Sequence, residues 1–149
     1  MDGAAERLGR PYSVSGTVLH GQRLGRRMGF PTLNLRLAPD KVSPPRGVYA
    51  SVVRWEENGS ARLAPGMSNL GSRPTVNGDR NDVTLETNVF AEPGELYGSG
   101  ITVWLLRFLR PEKAFGSVDE LSAAIVLDRE EARRTADALW SRYEDEFVL

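Results

Sequence analysis

Short hydrophobic segments that alternate with polar residues occupy the chain up to about residue 110. Clusters of Gly, Pro, Asn and Asp separate them, and no helix-length periodic segment lies between them. This pattern predicts a mainly β domain with antiparallel strands in a barrel or sandwich. The predicted strands cover residues 12–20, 33–37, 47–55, 64–71, 83–90 and 101–109.

A helical spacing of apolar residues replaces the alternation over residues 117–146. Ser117 and Glu120 fit a capping box at the start of this tail. Asp128 followed by Glu131 has the same form and predicts a second helix start. We therefore expect C-terminal α-helices whose apolar stripe packs on the strands.

The composition fits one domain, since 40% of the 149 residues are hydrophobic and 26% are charged. We expect residues 1–10 to form a flexible lead-in and residues 11–149 to form the domain. A formal charge of −1 gives no broad attraction for phosphates, so no nucleic-acid partner is expected. The sequence has no apolar run of about 18 residues and no signal peptide, which predicts a cytoplasmic protein without a membrane partner.

The absence of cysteine and the presence of one histidine exclude several kinds of site. A thiolate zinc site and a cysteine nucleophile are excluded by the first observation. A zinc site with two histidines is excluded by the second.

Two polar residues interrupt the apolar segment GFPTLNL at residues 29–35. Strand alternation places Leu33 and Leu35 on one face and Thr32 and Asn34 on the other. Oxygen-bearing side chains suit Mg²⁺, which often takes only one or two protein groups together with substrate phosphates. The alternative is a polar strand face that is open to water.

Two other segments carry candidate chemistry. Residues 20–32 contain three glycines and three arginines, among them Gly21 and Arg26, which could follow and bind phosphate oxygens. Composition alone favours an exposed turn with solvated arginines. Glu86 shares a strand face with Thr84 and Asn88 and could act as a base, although a lone glutamate on a mixed face is usually solvated.

Taken together, several segments resemble the riboflavin kinase (flavokinase) family, which also occurs at the C-terminal end of bacterial bifunctional FAD synthetases. The matching segments are GTVLHG (16–21), GFPTLNL (29–35), GVYA (47–50), SNLGSRPTV (68–76), LET (85–87), LYG (96–98), FLRPEKAFGSVDEL (108–121) and DREEAR (128–133). They occur in this order over nearly the whole chain.

The resemblance implies a six-stranded antiparallel Greek-key barrel with a C-terminal helix. It also implies transfer of the ATP γ-phosphoryl group to the 5′-hydroxyl of riboflavin, which gives FMN and uses Mg²⁺ or another divalent cation. The full-length protein could carry an N-terminal FMN adenylyltransferase module, as the bifunctional enzymes do.

The same resemblance assigns roles to individual residues. Thr32 and Asn34 would hold the metal and the ATP phosphates, and Gly21 and Arg26 would line the nucleotide. Glu86 would be the general base. The flavin would lie against a further set of side chains, namely Tyr97, Arg110, Glu112 and Phe115.

The sequence is also compatible with two other functions. A flavin- or nucleotide-binding barrel without catalysis would share the fold and the flavin site. A barrel for single-stranded nucleic acid would need a basic groove interleaved with aromatic side chains, whereas this chain is slightly acidic.

Overall fold

The computed structural model describes residues 11–19, 32–37, 43–74, 81–91, 96 and 98–147. These residues form six strands and one helix in chain order. The elements are β1 (Tyr12–Thr17), β2 (Thr32–Arg36), β3 (Gly47–Glu57), β4 (Ser60–Pro74), β5 (Asn81–Val89), β6 (Gly100–Arg110) and α1 (Val118–Phe147).

The six strands form one antiparallel sheet with the order β1-β6-β3-β4-β5-β2. The sheet curls into a half-barrel, and its two edges approach where the backbone N–H of Leu19 donates to the carbonyl of Asn34 at 2.8 Å. The prediction of a mainly β fold with six antiparallel strands and a C-terminal helical element is confirmed.

The connection between β3 and β4 is a tight hairpin. Asn58 and Gly59 form its turn, with positive φ values of 53° and 81°. Two positive φ values match the type I′ turn, whose twist suits the two strands that it joins. The hairpin fixes the longest strand pair of the sheet, which runs from Gly47 opposite Leu70 to Glu57 opposite Ser60.

The concave face of the sheet holds the main hydrophobic core. Alternation along β2 directs its leucines inward, and Leu33 and Leu35 are both buried as the sequence predicted. β5 contributes Leu85 and Val89 to the same cluster. The residues between them, including Asn34 and Glu86, therefore point to the convex face.

Three hydroxyl groups cross this core in a line from β5 to β3. Ser68 donates to Ser51 at 2.8 Å, and its Oγ lies 2.8 Å from Oγ1 of Thr87. Because a hydroxyl has one hydrogen, Thr87 must be the donor to Ser68. All three side chains are at most 1% exposed, so water cannot replace a lost partner.

The helix α1 covers part of the convex face. Its Ala136, Tyr143 and Phe147 pack on Val52 and Trp104 in a second hydrophobic cluster. The rings of Trp104 and Phe147 lie 5.1 Å apart between centroids. No helix in the described part of the chain combines the length and apolarity needed to cross a membrane.

The predicted second helix start at Asp128 is wrong. α1 runs for 30 residues without interruption, and Asp128 lies in its interior. Its carboxylate does not cap the backbone, because it pairs with the guanidinium of Arg110 on β6. Ser117 does act as a cap, since its Oγ accepts from the N–H of Glu120 at 3.1 Å.

Alternation along β6 also fails near its end. The sequence places Phe108 on the same face as Trp104 and Leu106, but Phe108 packs with the inner core and lies edge-on to Tyr49 at 5.3 Å. The cause is two register shifts between β3 and β6, each of one residue. A one-residue shift moves every later side chain to the other face.

The hydroxyl line gives a prediction for stability. Ser68→Ala should lower the free energy of unfolding by about 1–3 kcal/mol, because it leaves two buried hydroxyl groups without their partner. Denaturant titration followed by circular dichroism measures this loss. Ser60→Ala, in the exposed hairpin, is the control and should change stability by less than about 0.5 kcal/mol; equal effects would show that the line contributes nothing.

Candidate active site

A row of side chains crosses the convex face from one edge strand almost to the other. The strand registers place Asn34 opposite Glu86, Glu86 opposite Asn69, and Asn69 opposite Val48. Val48 in turn lies opposite Arg110. Directly paired residues share a face, so these five side chains form one row, which we call the convex row.

Asn34 and Glu86 form one end of the convex row. Asn34 is only 7% exposed, so its amide is not on an open solvated face. Glu86 is half-buried beside it. Thr32 lies opposite Asn88 two pairs further along the same two strands, on the same face. The structure therefore brings the three predicted residues Thr32, Asn34 and Glu86 together on neighbouring strands.

Arg110 forms the other end of the convex row. Its Nη2 lies 2.7 Å from Oδ2 of Asp128, and its Nε lies 3.1 Å from Oδ1. Its guanidinium carbon also lies 5.7 Å from the centre of the Phe115 ring. Lys113 approaches the same ring at 5.6 Å, so Phe115 is surrounded by positive charge.

Glu112 reaches from the segment after β6 back over the sheet. A Cβ added to Gly71 on β4 would lie only 3.3 Å from its Oε1. Gly71 is opposite Thr84 on β5, two residues from Glu86 on the same face. Glu112 therefore carries a second carboxylate to the neighbourhood of Glu86, and the absence of a side chain at Gly71 leaves room for it.

Beyond the convex row, Phe90, the residue that follows β5, contacts the helix. The guanidinium groups of Arg129 and Arg133 lie 5.0 and 4.9 Å from the centre of the Phe90 ring. Burial and, secondly, the charge of Arg133 lower the pKa of Arg129 from its usual value. These contacts attach α1 to the residue that follows β5, and the Arg110–Asp128 pair attaches α1 to β6.

A cleft of about 660 Å³ is lined by residues of β1, β6 and β3 together with Leu96 and Ser99. Its lining includes Ser15 and Thr102, whose hydroxyl oxygens are 3.0 Å apart. The carbonyl of Ser99 accepts from Val18, and the next residue, Leu19, donates to Asn34. The backbone hydrogen bonds of Val18 and Leu19 therefore connect Ser99, at the cleft, with Asn34, at one end of the convex row.

The residues at the Asn34 end fit a hard divalent cation. Asn34, Thr32 and Glu86 offer an amide, a hydroxyl and a carboxylate oxygen, which are the ligand types that Mg²⁺ accepts. Within the described ranges, no group of three or more acidic or histidine side chains could hold a metal unaided. Water and substrate phosphates would complete the coordination.

Three of the predicted site residues lie outside the described residues, namely Gly21, Arg26 and Tyr97. Other residues of the site were not assigned a role from the sequence. Asn69 lies within the SNLGSRPTV segment, but its position beside Glu86 depends on the pairing of β4 with β5. The capping pattern at Asp128 predicted a helix start, which hid its contact with Arg110. The signal for that contact is a charged residue at a position of the helical stripe where apolar residues are usual.

The fold and the convex row define a small β domain with an oxygen-rich site at one end of a polar face and a cation–aromatic cluster at the other. Comparison with known proteins gives its family. Residues 8–136 match the family model described as flavokinase, riboflavin kinase. The chain belongs to the riboflavin kinase family.

Its curated relatives are longer proteins. The chain is 44% identical over 126 residues to a bifunctional riboflavin kinase/FMN adenylyltransferase of Escherichia coli K12, which covers 85% of the chain and 38% of that protein. The bifunctional protein of Bacillus subtilis 168 is 38% identical over 128 residues, covering 85% and 39%. The chain thus spans well under half the length of these relatives.

Two solved structures resemble the fold. A Streptococcus pneumoniae structure described as a macrolide-efflux protein superposes with a TM-score of 0.76 and 32% identity, covering 89% of this chain and 41% of the other. Riboflavin kinase from Trypanosoma brucei superposes with a TM-score of 0.64 and 24% identity, covering 89% and 87%. The second similarity concerns the fold alone.

Gly47 gives a prediction for the Arg110 end of the site. Its φ is +151°, and an added Cβ would collide with the carbonyl oxygen of Arg110 and lie 2.6 Å from the Phe108 ring. Gly47→Ala should therefore lower the free energy of unfolding by about 1–3 kcal/mol, as measured by denaturant titration. Gly100→Ala is the control, because the nearest atom is 4.0 Å away; a similar loss in both variants would contradict this assignment.

Proposed function

We propose that the domain transfers the γ-phosphoryl group of ATP to the 5′-hydroxyl of riboflavin, giving FMN and ADP. The observation that carries this proposal is the direct pairing of Asn34 with Glu86 across β2 and β5. It sets a candidate metal and phosphate ligand beside a candidate base. Membership of the riboflavin kinase family supports the same reaction.

Phosphoryl transfer depends mainly on alignment and charge stabilisation, which the convex row could supply. Thr32 and Asn34 would hold Mg²⁺ and the ATP phosphates, and the bound cation would neutralise charge on the phosphate oxygens. Gly21 and Arg26 would line the nucleotide, as the family resemblance implies.

Glu86 would accept a hydrogen bond from the 5′-hydroxyl of riboflavin and so aim the hydroxyl oxygen at the γ-phosphorus. The bond between this oxygen and phosphorus forms as the bond to the ADP oxygen breaks, and the hydroxyl proton passes to Glu86. Since the transition state of phosphoryl transfer is loose, a weak base can take the proton late.

The flavin ring would lie at the other end of the convex row. Arg110 is three strands from Glu86, a separation of roughly 14 Å at the usual strand spacing. An elongated substrate is needed to reach from one to the other. Phe115 offers an aromatic face, Arg110 and Glu112 offer polar groups, and Tyr97 would join them as the resemblance implies.

The curated relatives combine this activity with FMN adenylyltransferase activity in one chain. We extend the proposal to a longer natural protein in which an adenylyltransferase module uses the FMN formed here. The alternative of a binding barrel without catalysis is separated by one assay. Wild-type protein that binds riboflavin but forms no FMN with ATP and Mg²⁺ would establish that alternative.

Replacement of the proposed base should remove turnover and preserve binding. Glu86→Gln keeps the shape of the side chain but not its basicity, so kcat should fall by about 10²- to 10⁴-fold. Riboflavin affinity, measured by quenching of flavin fluorescence, should stay within about threefold. Glu144→Gln, at an exposed position on α1, is the matched control. Full activity of Glu86→Gln would exclude Glu86 as the base.

Replacement of the proposed metal ligand should alter metal dependence. Asn34→Ala removes one neutral oxygen ligand, so the Mg²⁺ concentration for half-maximal rate should rise on the order of 10-fold. Saturating Mg²⁺ should restore most of kcat. A metal titration that matches the wild type would mean that the Asn34 amide has only a structural role.

A further inference from the structure

We propose that Asp128 is a positioning residue that orients Arg110, and through it the flavin ring; this rests on the proposed function. Asp128 lies on α1 and Arg110 on β6, 18 positions apart in the chain. The helix would then do more than cover the sheet. It would hold the side chain that contacts the substrate.

The contact between the two side chains is bidentate. Nη2 of Arg110 donates to Oδ2 of Asp128 at 2.7 Å, and Nε lies 3.1 and 3.2 Å from the two carboxylate oxygens. Such a pair fixes the plane of the guanidinium as well as its position. On its other side, Nη1 donates to the carbonyl oxygen of Pro111 at 3.1 Å.

These bonds leave part of the guanidinium available to a ligand. Arginine has five N–H groups, and the described contacts of Arg110 use one on each of its three nitrogens. The two that remain lie on Nη1 and Nη2, at the end of the side chain. Phe115 lies against the same group at 5.7 Å. A polar heterocycle could therefore stack beside Phe115 and accept hydrogen bonds from this end.

The burial of Asp128 argues for a role beyond simple stability. It is only 8% exposed and is the first buried residue along α1, followed by Ala132, Thr135 and Ala136. A well-packed apolar pair of similar volume is often as stable as a buried ion pair. What the ion pair provides in addition is a fixed orientation of a charged donor, which a packed apolar pair would lack.

Asp128→Asn tests the proposal, because it keeps the volume of the side chain but removes its charge and one acceptor. The Kd for riboflavin, measured by flavin fluorescence, should rise about tenfold or more, with a matching rise in the riboflavin KM. The KM for ATP should stay within about twofold. Asp137→Asn, at an exposed position on the same helix, should leave all three constants unchanged.

A double-mutant cycle separates positioning from a general structural role. If Asp128 acts through Arg110, then Asp128→Asn should add almost nothing to the riboflavin Kd of Arg110→Ala. A variant that only loosens the helix would raise Kd by the same factor in both backgrounds. Equal factors, or an unchanged Kd in Asp128→Asn itself, would overturn the proposal.

A third variant guards against loss of folding. Asp128→Glu keeps the charge but lengthens the side chain by one methylene, so it should bind riboflavin more weakly than wild type and more tightly than Asp128→Asn. If Asp128→Asn is unfolded by circular dichroism, an unchanged Kd in Asp128→Glu overturns the proposal. Failure of wild-type protein to form FMN would refute the proposed function. If the wild type forms FMN normally and Asp128→Asn has an unaltered riboflavin KM, only the role of Asp128 is refuted.

Discussion

The antiparallel pairing of β2 with β5 is the constraint on which the rest of the site depends. It sets Asn34 directly opposite Glu86, and it sets Leu35 opposite Leu85. The first pair points to the convex face and the second is buried in the core. A slip of β2 by one residue would break both pairs, turning Leu33 and Leu35 to the surface and Asn34 into the core. The cost of such a slip ties the geometry of the site to the folding of the core.

The hydroxyl line inside the half-barrel strengthens this constraint. Ser51, Ser68 and Thr87 can satisfy one another only when β3, β4 and β5 keep one register, whereas leucines could pack in several similar arrangements. Thr87 is next to Glu86 in the chain. The polar atoms buried on the concave face therefore help to fix the position of the carboxylate on the convex face.

The local elements could be predicted from the sequence, but their assembly could not. The alternation of β2 and β5 predicts which face carries Thr32, Asn34 and Glu86, because side-chain direction is a local property. The proximity of these three residues depends on the pairing of β2 with β5, although the next strand after β2 in the sequence is β3. Asp128 is the opposite case, since local capping signals predict a helix start and only the position of Arg110 reveals its contact.

The two register shifts in β6 show how the sheet brings its distant ends into one site. If the register at Val52 opposite Trp104 continued without a shift, Val48 would lie opposite Phe108. The convex row would then end in an aromatic ring with no charged group. The shifts turn Phe108 into the core beside Tyr49, where burial raises the pKa of the Tyr49 hydroxyl to about 12, and they bring Arg110 to Val48. The two register shifts thus bring the guanidinium of Arg110 to the end of the convex row. Asp128 can reach this guanidinium only because α1 crosses the convex face.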